Sequence, residues 1–97
     1  MDIRLEDHPA LILVFGMEGC PACSAYIPAV RAVHRRHPDV PAYVVDCNRV
    51  THAADHYNVK VTPTTVLLRH GRVEKRFEGE GSRADLEKLF RHAESFL

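Results

Sequence analysis

Two apolar runs of strand length, over 10–15 and 41–46, stand on either side of a segment with helical periodicity. Runs of this length are typical of strands covered on both faces of a sheet. Over 21–37 the apolar residues recur every three or four positions, which predicts an amphipathic helix. A helix between two buried strands favours parallel pairing with a right-handed crossover. The first half of the chain is therefore predicted to be a βαβ unit.

Two further helices are predicted in the second half of the chain. Asn48 is expected to cap a short helix, because its side chain can accept a bond from the first turn. The apolar positions of that helix are Val50, Ala53, Ala54 and Tyr57. Ser82 and Asp85 have a spacing close to that of a capping box at the start of a last helix. The apolar stripe of the last helix contains Leu86, Leu89, Phe90, Ala93 and Leu97.

A hairpin is predicted between these helices. The β-branched run over 64–68 begins directly after Pro63, and a proline at that place can only start a strand or sit in a turn. Pro63 is a candidate cis proline. Residues 69–72 contain His and Gly, which tolerate positive φ and predict a tight turn. The alternating segment over 73–77 then reads as a charged edge strand.

The predicted order of elements is β-α-β-α-β-β-α, which makes an α/β fold with a central mixed sheet of four strands between helices. Residues 2–6 alternate polar and apolar and are expected to add a short fifth strand at the N-terminus. The chain has 97 residues with 45% apolar content. This length and composition predict a single domain over 1–97.

The charge balance of the chain excludes two classes of partner. Lys plus Arg equals Asp plus Glu, at 13 each, so no net field would attract nucleic acid or an anionic membrane. The N-terminal residues lack the pattern of a signal peptide, and no apolar run has membrane-spanning length. The three cysteines show no long-range pairing pattern. We therefore expect a cytoplasmic protein in a reducing compartment.

Reactive chemistry is predicted at the junction between the first strand and the first helix, where Cys20 and Cys23 form a Cys-x-x-Cys pair. Pro21 is suited to the first helical position, so Cys20 is placed at the N-cap and Cys23 one turn inside. Unpaired N–H groups and the helix dipole favour a thiolate at the N-cap, so the pKa of Cys20 is expected below the free value of about 8.5. A bridge closing so short a loop stabilises little, which indicates a reactive pair.

A zinc site is the alternative reading of this cysteine pair, because Cys47, His52 and His56 could complete a set of ligands. The wide gap between Cys23 and His52 argues against a compact zinc finger, so no metal is expected. His52 and His56 are expected on a solvated helix face. Cys47 is expected to be a buried structural thiol, with a regulatory or resolving role as the alternative.

Several further features coincide with the Cys-x-x-Cys pair. They are C-P-A-C at 20–23, Pro28 eight residues after Cys20, V-D at 45–46, V-T-P-T at 61–64, H-G-R at 70–72 and Gly79. With this order of elements, residues 10–97 resemble the thioredoxin-like superfamily. The resemblance implies that Cys20 is the exposed nucleophile and Cys23 the resolving thiol. It also implies that Pro63 is cis and packs beside the disulfide, in an active site that Pro21 and Ala22 support.

The same resemblance implies a place for an extended substrate chain. The backbone of Thr62 and the segment around Gly79 would receive this chain as an added strand. Apolar contacts would come from the surface near Gly19, Ala22 and Pro63.

The chain also departs from the usual pattern of thioredoxins. Gly16 and Gly19 stand at two positions that usually carry tryptophan, which is expected to widen the groove beside Cys20. Val14 replaces a buried aspartate, and with it the side chain that could deprotonate Cys23. Ala22 stands where a proline usually precedes the second cysteine, and Ala42 replaces a lysine on the second strand.

The sequence therefore predicts a thiol–disulfide oxidoreductase without a cofactor, which reduces disulfides of client proteins. Its electron donor would be an unidentified reductase or a low-molecular-weight thiol, and the protein is expected to be a monomer. One alternative is a glutaredoxin-like reductase that uses glutathione, although only Lys60 lies near the loop at 61–63 to meet glutathione carboxylates. The other is a redox-inactive or zinc-binding module on the same fold.

Overall fold

A computed structural model describes residues 4–97. The strands and helices are β1 (Leu11–Gly16), α1 (Pro21–Arg36), β2 (Ala42–Asp46), α2 (Thr51–His56), β3 (Thr64–Arg69), β4 (Arg72–Glu78) and α3 (Arg83–Glu94). The sheet has the order β2-β1-β3-β4, with β2 parallel to β1 and the other two pairs antiparallel. The predicted order of elements and the mixed four-stranded sheet are confirmed. No helix within residues 4–97 is long and apolar enough to cross a membrane.

Strand β1 lies at the centre of the molecule, and its alternating side chains divide the core into two clusters. On one face, Ile12 and Val14 pack with residues of α1 and α3. On the other, Leu11, Leu13 and Phe15 pack with Tyr57, at the end of α2. Every residue of β1 is buried. The sheet is therefore covered on both sides, and β1 ends directly before the Cys-x-x-Cys pair.

Strand β2 is an edge strand, which corrects the expectation of a second buried strand. Tyr43 and Val44 are exposed, whereas Val45 and Ala42 pack partly against the two clusters. The apolar run reads as a central strand, but the sheet order leaves β2 with one neighbour among residues 4–97. An apolar run predicts that a segment forms a strand, but it does not predict where that strand lies in the sheet.

Two local predictions are wrong. Leu5–Asp7 forms a 3-10 helix, so the described part of the expected strand over 2–6 is not a strand, and residues 2–3 lie outside the described part. Asn48 does not cap α2. Its backbone N–H instead donates to Asp46 Oδ1 at 2.9 Å in a turn, and Val50 occupies the N-cap without a side-chain bond. Residues 48–50, which the sequence assigns to the start of α2, belong to this turn, and the helix begins at Thr51.

The capping box at α3 and the hairpin are confirmed. The Ser82 hydroxyl accepts from Asp85 N–H, and the Asp85 carboxylate accepts from Ser82 N–H. Between β3 and β4, His70 and Gly71 have φ values of 50° and 81°, as the tight turn requires.

The end of α1 is tied to α3 through His37. Its Nε2 lies 2.8 Å from Glu87 Oε2, and its Nδ1 lies 2.9 Å from Glu94 Oε2. Arg36 adds a contact of 2.9 Å to Glu87 Oε1. Since both ring nitrogens face carboxylate acceptors, the imidazole satisfies both only when it carries both protons. We call these residues the His37 cluster.

Candidate active site

Cys20 is the N-cap residue of α1, and Pro21 occupies the first helical position. The Cys23 backbone N–H donates to Cys20 Sγ at 3.2 Å, which satisfies one of the unpaired amides at the helix start. Cys20 is half-buried, whereas Cys23 is 2% exposed. The two residues are joined by a disulfide with Cα atoms 5.2 Å apart. Of the two bonded cysteines, only Cys20 is therefore accessible to another molecule.

The segment before β3 forms the opposite wall of the site. The Thr62–Pro63 peptide bond is cis, which is the isomer that the sequence predicts. Cys20 Sγ lies 3.7 Å from the Thr62 carbonyl oxygen and 3.5 Å from Thr62 Oγ1, which can donate to the sulfur. Pro63 is buried, and its carbonyl accepts from Gly79 N–H at 2.7 Å. Residues 42 positions apart in sequence thus meet at one sulfur atom.

Around the Cys23 sulfur the protein is apolar and closely packed. Val14, which stands where thioredoxins usually have a buried aspartate, is fully buried in the core. Gly16 is also buried, and a Cβ at Gly16 would lie 3.2 Å from Ile27 Cδ1 and 3.6 Å from Cys23 Sγ. The expectation that Gly16 widens the surface groove is therefore wrong. Ile27 fills the space that a glycine leaves there.

The rim of the site is partly apolar. Met17 and Val61 are exposed on the two segments that flank Cys20. Gly19 is exposed and has open space where a side chain would be, so at this position the surface is flat beside the sulfur. Pro21 is exposed and Ala22 is half-buried on the first turn of α1. An apolar rim suits contact with an extended segment of another protein.

The remaining candidate ligands do not come together. Among residues 4–97, no group of three His, Cys, Asp or Glu side chains could hold a metal ion. His52 and His56 are exposed on α2. Cys47 is partly buried against the core, and burial, with a smaller contribution from Asp46, raises the pKa of its thiol. A raised thiol pKa lowers the reactivity of Cys47 at neutral pH.

One buried polar pair anchors α1 to the sheet, and sequence reasoning missed it. Tyr26 Oη lies 2.7 Å from Thr65 Oγ1, and both residues are buried. Burial is the main cause that raises the pKa of Tyr26 to about 12. Sequence reasoning also missed the contact of the Thr62 hydroxyl with Cys20 Sγ and the contacts of Arg76 with the Tyr57 and Asn58 carbonyls. Each depends on residues brought together only by the fold.

Comparisons with known proteins agree with this geometry. The family model described as Thioredoxin matches residues 2–92. The chain is 28% identical over 91 residues to Thioredoxin H-type of Fagopyrum esculentum, covering 93% of this chain and 78% of that one. The crystal structure of Fasciola hepatica thioredoxin superposes with a TM-score of 0.82 at 26% identity, covering 91% and 85% of the two chains. Oxidised thioredoxin from Plasmodium falciparum shares the fold, with a TM-score of 0.81 and 19% identity over 92% and 86%.

Proposed function

The chain belongs to the thioredoxin family of thiol–disulfide oxidoreductases, and on this basis we propose that it reduces disulfides of client proteins, with Cys20 as nucleophile and Cys23 as resolving thiol. The observation that supports these roles is the unequal exposure of the two sulfurs at the start of α1. Cys20 can reach a client, and Cys23, at 2% exposure, can reach only Cys20.

The proposed reaction has two exchange steps. The Cys20 thiolate attacks one sulfur of the client disulfide, so a mixed disulfide forms and the other client sulfur leaves as a thiolate that takes up a proton. The Cys23 thiol then loses its proton and attacks Cys20 Sγ, which releases the second client sulfur and forms the Cys20–Cys23 disulfide. Two electrons pass from the enzyme to the client.

Deprotonation of Cys23 is proposed to use water or the leaving client thiolate. Val14 offers no base at the position beneath the disulfide, and the surroundings of Cys23 are apolar. Without a side-chain base beside Cys23, the second step is expected to be slow. We therefore expect the mixed disulfide to be long-lived.

Client recognition is proposed to involve the backbone of Thr62 and the segment at Gly79, with an extended client chain added beside them. Gly19, Ala22 and Pro63 would supply the apolar contacts. A flat surface at Gly19 admits a disulfide loop of a folded client and holds it weakly, so we expect low affinity for any one client.

The oxidised enzyme must be reduced again, and the proposed donor is a reductase or a low-molecular-weight thiol. We further propose that residues 1–97 form one domain, active as a monomer. The odd number of cysteines fits a reducing compartment, and the proposed location is the cytoplasm.

The direct test is reduction of insulin disulfides by the purified protein with dithiothreitol as donor, alongside a glutathione-coupled assay. We expect clear acceleration of insulin reduction and little glutathione-coupled activity, because Lys60 is the cation nearest in sequence to the Thr62 segment. Efficient deglutathionylation with negligible insulin reduction would support a glutaredoxin-like activity. Inactivity in both assays would support a redox-inactive module.

A Cys23→Ser variant tests the division of roles between the two cysteines. Attack by Cys20 can still proceed in this variant and resolution cannot, so covalent client adducts should accumulate and be released by reductant. Turnover should be lost. Cys20→Ser is the matched control and should form no adducts. Adducts that form with Cys20→Ser and not with Cys23→Ser would reverse the assigned roles.

A further inference from the structure

Arg76 is a basic residue of β4 whose side chain leaves the hairpin and reaches the end of α2. It stands opposite Val66 in the β3–β4 register, so both side chains lie on the face of the sheet that α2 covers. Only 28% of the Arg76 side chain is exposed. Most of this long side chain therefore lies against the protein, although the residue as a whole is exposed on an edge strand.

Arg76 contacts two backbone carbonyls at the end of α2 and, at longer range, Glu78, whose Oε2 lies 3.8 Å from Arg76 Nη2. Its Nη1 donates to the Tyr57 carbonyl, and its Nη2 donates to the Asn58 carbonyl at 2.9 Å. Asn58 has a φ of 55°, the left-handed conformation with which helices commonly end. Tyr57 is the C-cap of α2 and Asn58 follows it, so both carbonyls lie just beyond the helix, at the end where the helix dipole is negative. A guanidinium can bind two such carbonyls at once because its donors form a rigid fork.

Strand β4 and the residue that follows it therefore hold both ends of the segment that leads to the active site. At one end Arg76 fixes residues 57 and 58, and at the other Gly79 N–H donates to the Pro63 carbonyl. Within the segment, the Thr64 hydroxyl donates to the Val61 carbonyl at 2.6 Å. Thr62 lies between these anchors, with its hydroxyl and carbonyl directed at Cys20 Sγ.

We propose that Arg76 is a positioning residue for the disulfide exchange reaction. By fixing the end of α2, it keeps the Thr62 hydroxyl within hydrogen-bond distance of Cys20 Sγ in the reduced protein, where this donor stabilises the thiolate. Arg76 does not touch the reacting atoms and acts through Thr62. The inference rests on the proposed role of Cys20 as the nucleophile.

The test is the pH dependence of Cys20 alkylation by iodoacetamide in the reduced, folded protein. Arg76→Met removes both hydrogen bonds and the contact with Glu78, and keeps about the length of the side chain. We expect alkylation at pH 7 to slow by about threefold and its midpoint to move to higher pH, because a hydrogen bond to the charged sulfur is weakened. Arg76→Lys keeps the charge without the fork and should fall between Arg76→Met and the wild type.

Lys75→Met is the matched control. It removes one positive charge from the neighbouring position of β4, but Lys75 stands opposite Leu67, whose side chain packs on the other face of the sheet. Its alkylation profile should equal that of the wild type. An equal slowing in Lys75→Met and Arg76→Met would show a general loss of charge and overturn the proposal.

A double-mutant cycle with Thr62→Val decides whether Arg76 acts through the hydroxyl. If it does, the double variant should alkylate no more slowly than the slower single variant. Multiplied effects of the two substitutions, or an Arg76→Met profile equal to that of the wild type, would contradict the proposal. If Arg76→Met does not fold, the same cycle is measured with Arg76→Lys. Failure of the wild type to reduce insulin leaves these comparisons intact, so the two proposals fail separately.

Discussion

Gly19 directly precedes the reactive cysteine and has a φ of +81°, a conformation that side-chain-bearing residues rarely adopt. A Cβ there would contact nothing within 4 Å, so the cost of a substitution is conformational and not steric. We expect Gly19→Ala to lower the free energy of unfolding by about 1 kcal/mol. Urea unfolding monitored by circular dichroism measures this difference.

Glu18→Ala is the control for the Gly19 prediction, because Glu18 is an exposed neighbour outside regular secondary structure. Its stability should remain within about 0.5 kcal/mol of the wild type. Unchanged stability of Gly19→Ala would contradict the assigned backbone conformation.

At the scale of single residues, the sequence predicts the reactive cysteines better than it predicts the residues that hold them in place. The placement of Cys20 at a helix start follows from Pro21 and the change of periodicity, which are local signals. The contacts of Thr62 and Arg76 depend on how β3, β4 and α2 come together. The residues next to Thr62 or Arg76 in sequence do not indicate which group its side chain will contact in the fold.

Among the elements, α1 and α3 are joined by the His37 cluster, whose stability contribution should depend on pH. Hydrogen bonds to Glu87 and then to Glu94 raise the pKa of His37 above its ordinary value of 6.5. The His37 bond is the main cause that lowers the pKa of Glu87 from 4.5. The histidine contribution is complete below pH 6.5 and disappears as the pH rises through its folded pKa. The glutamate contribution is present above pH 4.5 and disappears as the pH falls through its folded pKa.

The two contributions coincide between about pH 4.5 and 6.5. We therefore expect His37→Gln to destabilise the protein more at pH 5.5 than at pH 8.5. Urea unfolding of both proteins at the two pH values measures the difference. His52 is an exposed histidine on α2, and His52→Gln is the control. The change in the free energy of unfolding that it causes should be the same at both pH values. An equal loss for His37→Gln at both pH values would show that the ion pairs do not stabilise the fold.

The elements themselves were predicted well because their periodicities are local properties of the chain. The position of β2 at the edge of the sheet could not be predicted in the same way, since β1 and β2 both consist mostly of apolar residues. The start of α2 was misplaced because the Asp46 carboxylate and carbonyl accept backbone bonds from the following residues and form a turn. Such a turn competes with Asn48 as a cap.

For the whole molecule, the two-sided burial of β1 and β3 predicts an uneven distribution of stability. Helix α2 has six residues, none of them buried, whereas every residue of β1 is buried. We expect backbone amides of Leu13 and Val66 to exchange with solvent only through global unfolding. Amides of α2 should exchange through local opening at a lower free energy.

Native-state hydrogen exchange followed by NMR measures this difference at each amide. The free energy from the β1 and β3 amides should equal that from urea unfolding, which serves as the internal control. Amides of α2 that exchange as slowly as those of β1 would show that the helix opens only with the rest of the protein.

The bond between Tyr26 and Thr65 limits a motion that the sheet alone would permit. Thr65 follows Pro63 by two residues on β3, and Tyr26 lies in the second turn of α1. A roll of α1 about its own axis would separate Cys20 from Thr62, and the two buried hydroxyls oppose that roll from inside the core. One support of the position of Cys20 is thus a contact buried in the core, where no client can reach it. Rim residues such as Met17 and Val61 can therefore be substituted to suit a different client, and the distance between Cys20 Sγ and Thr62 is retained.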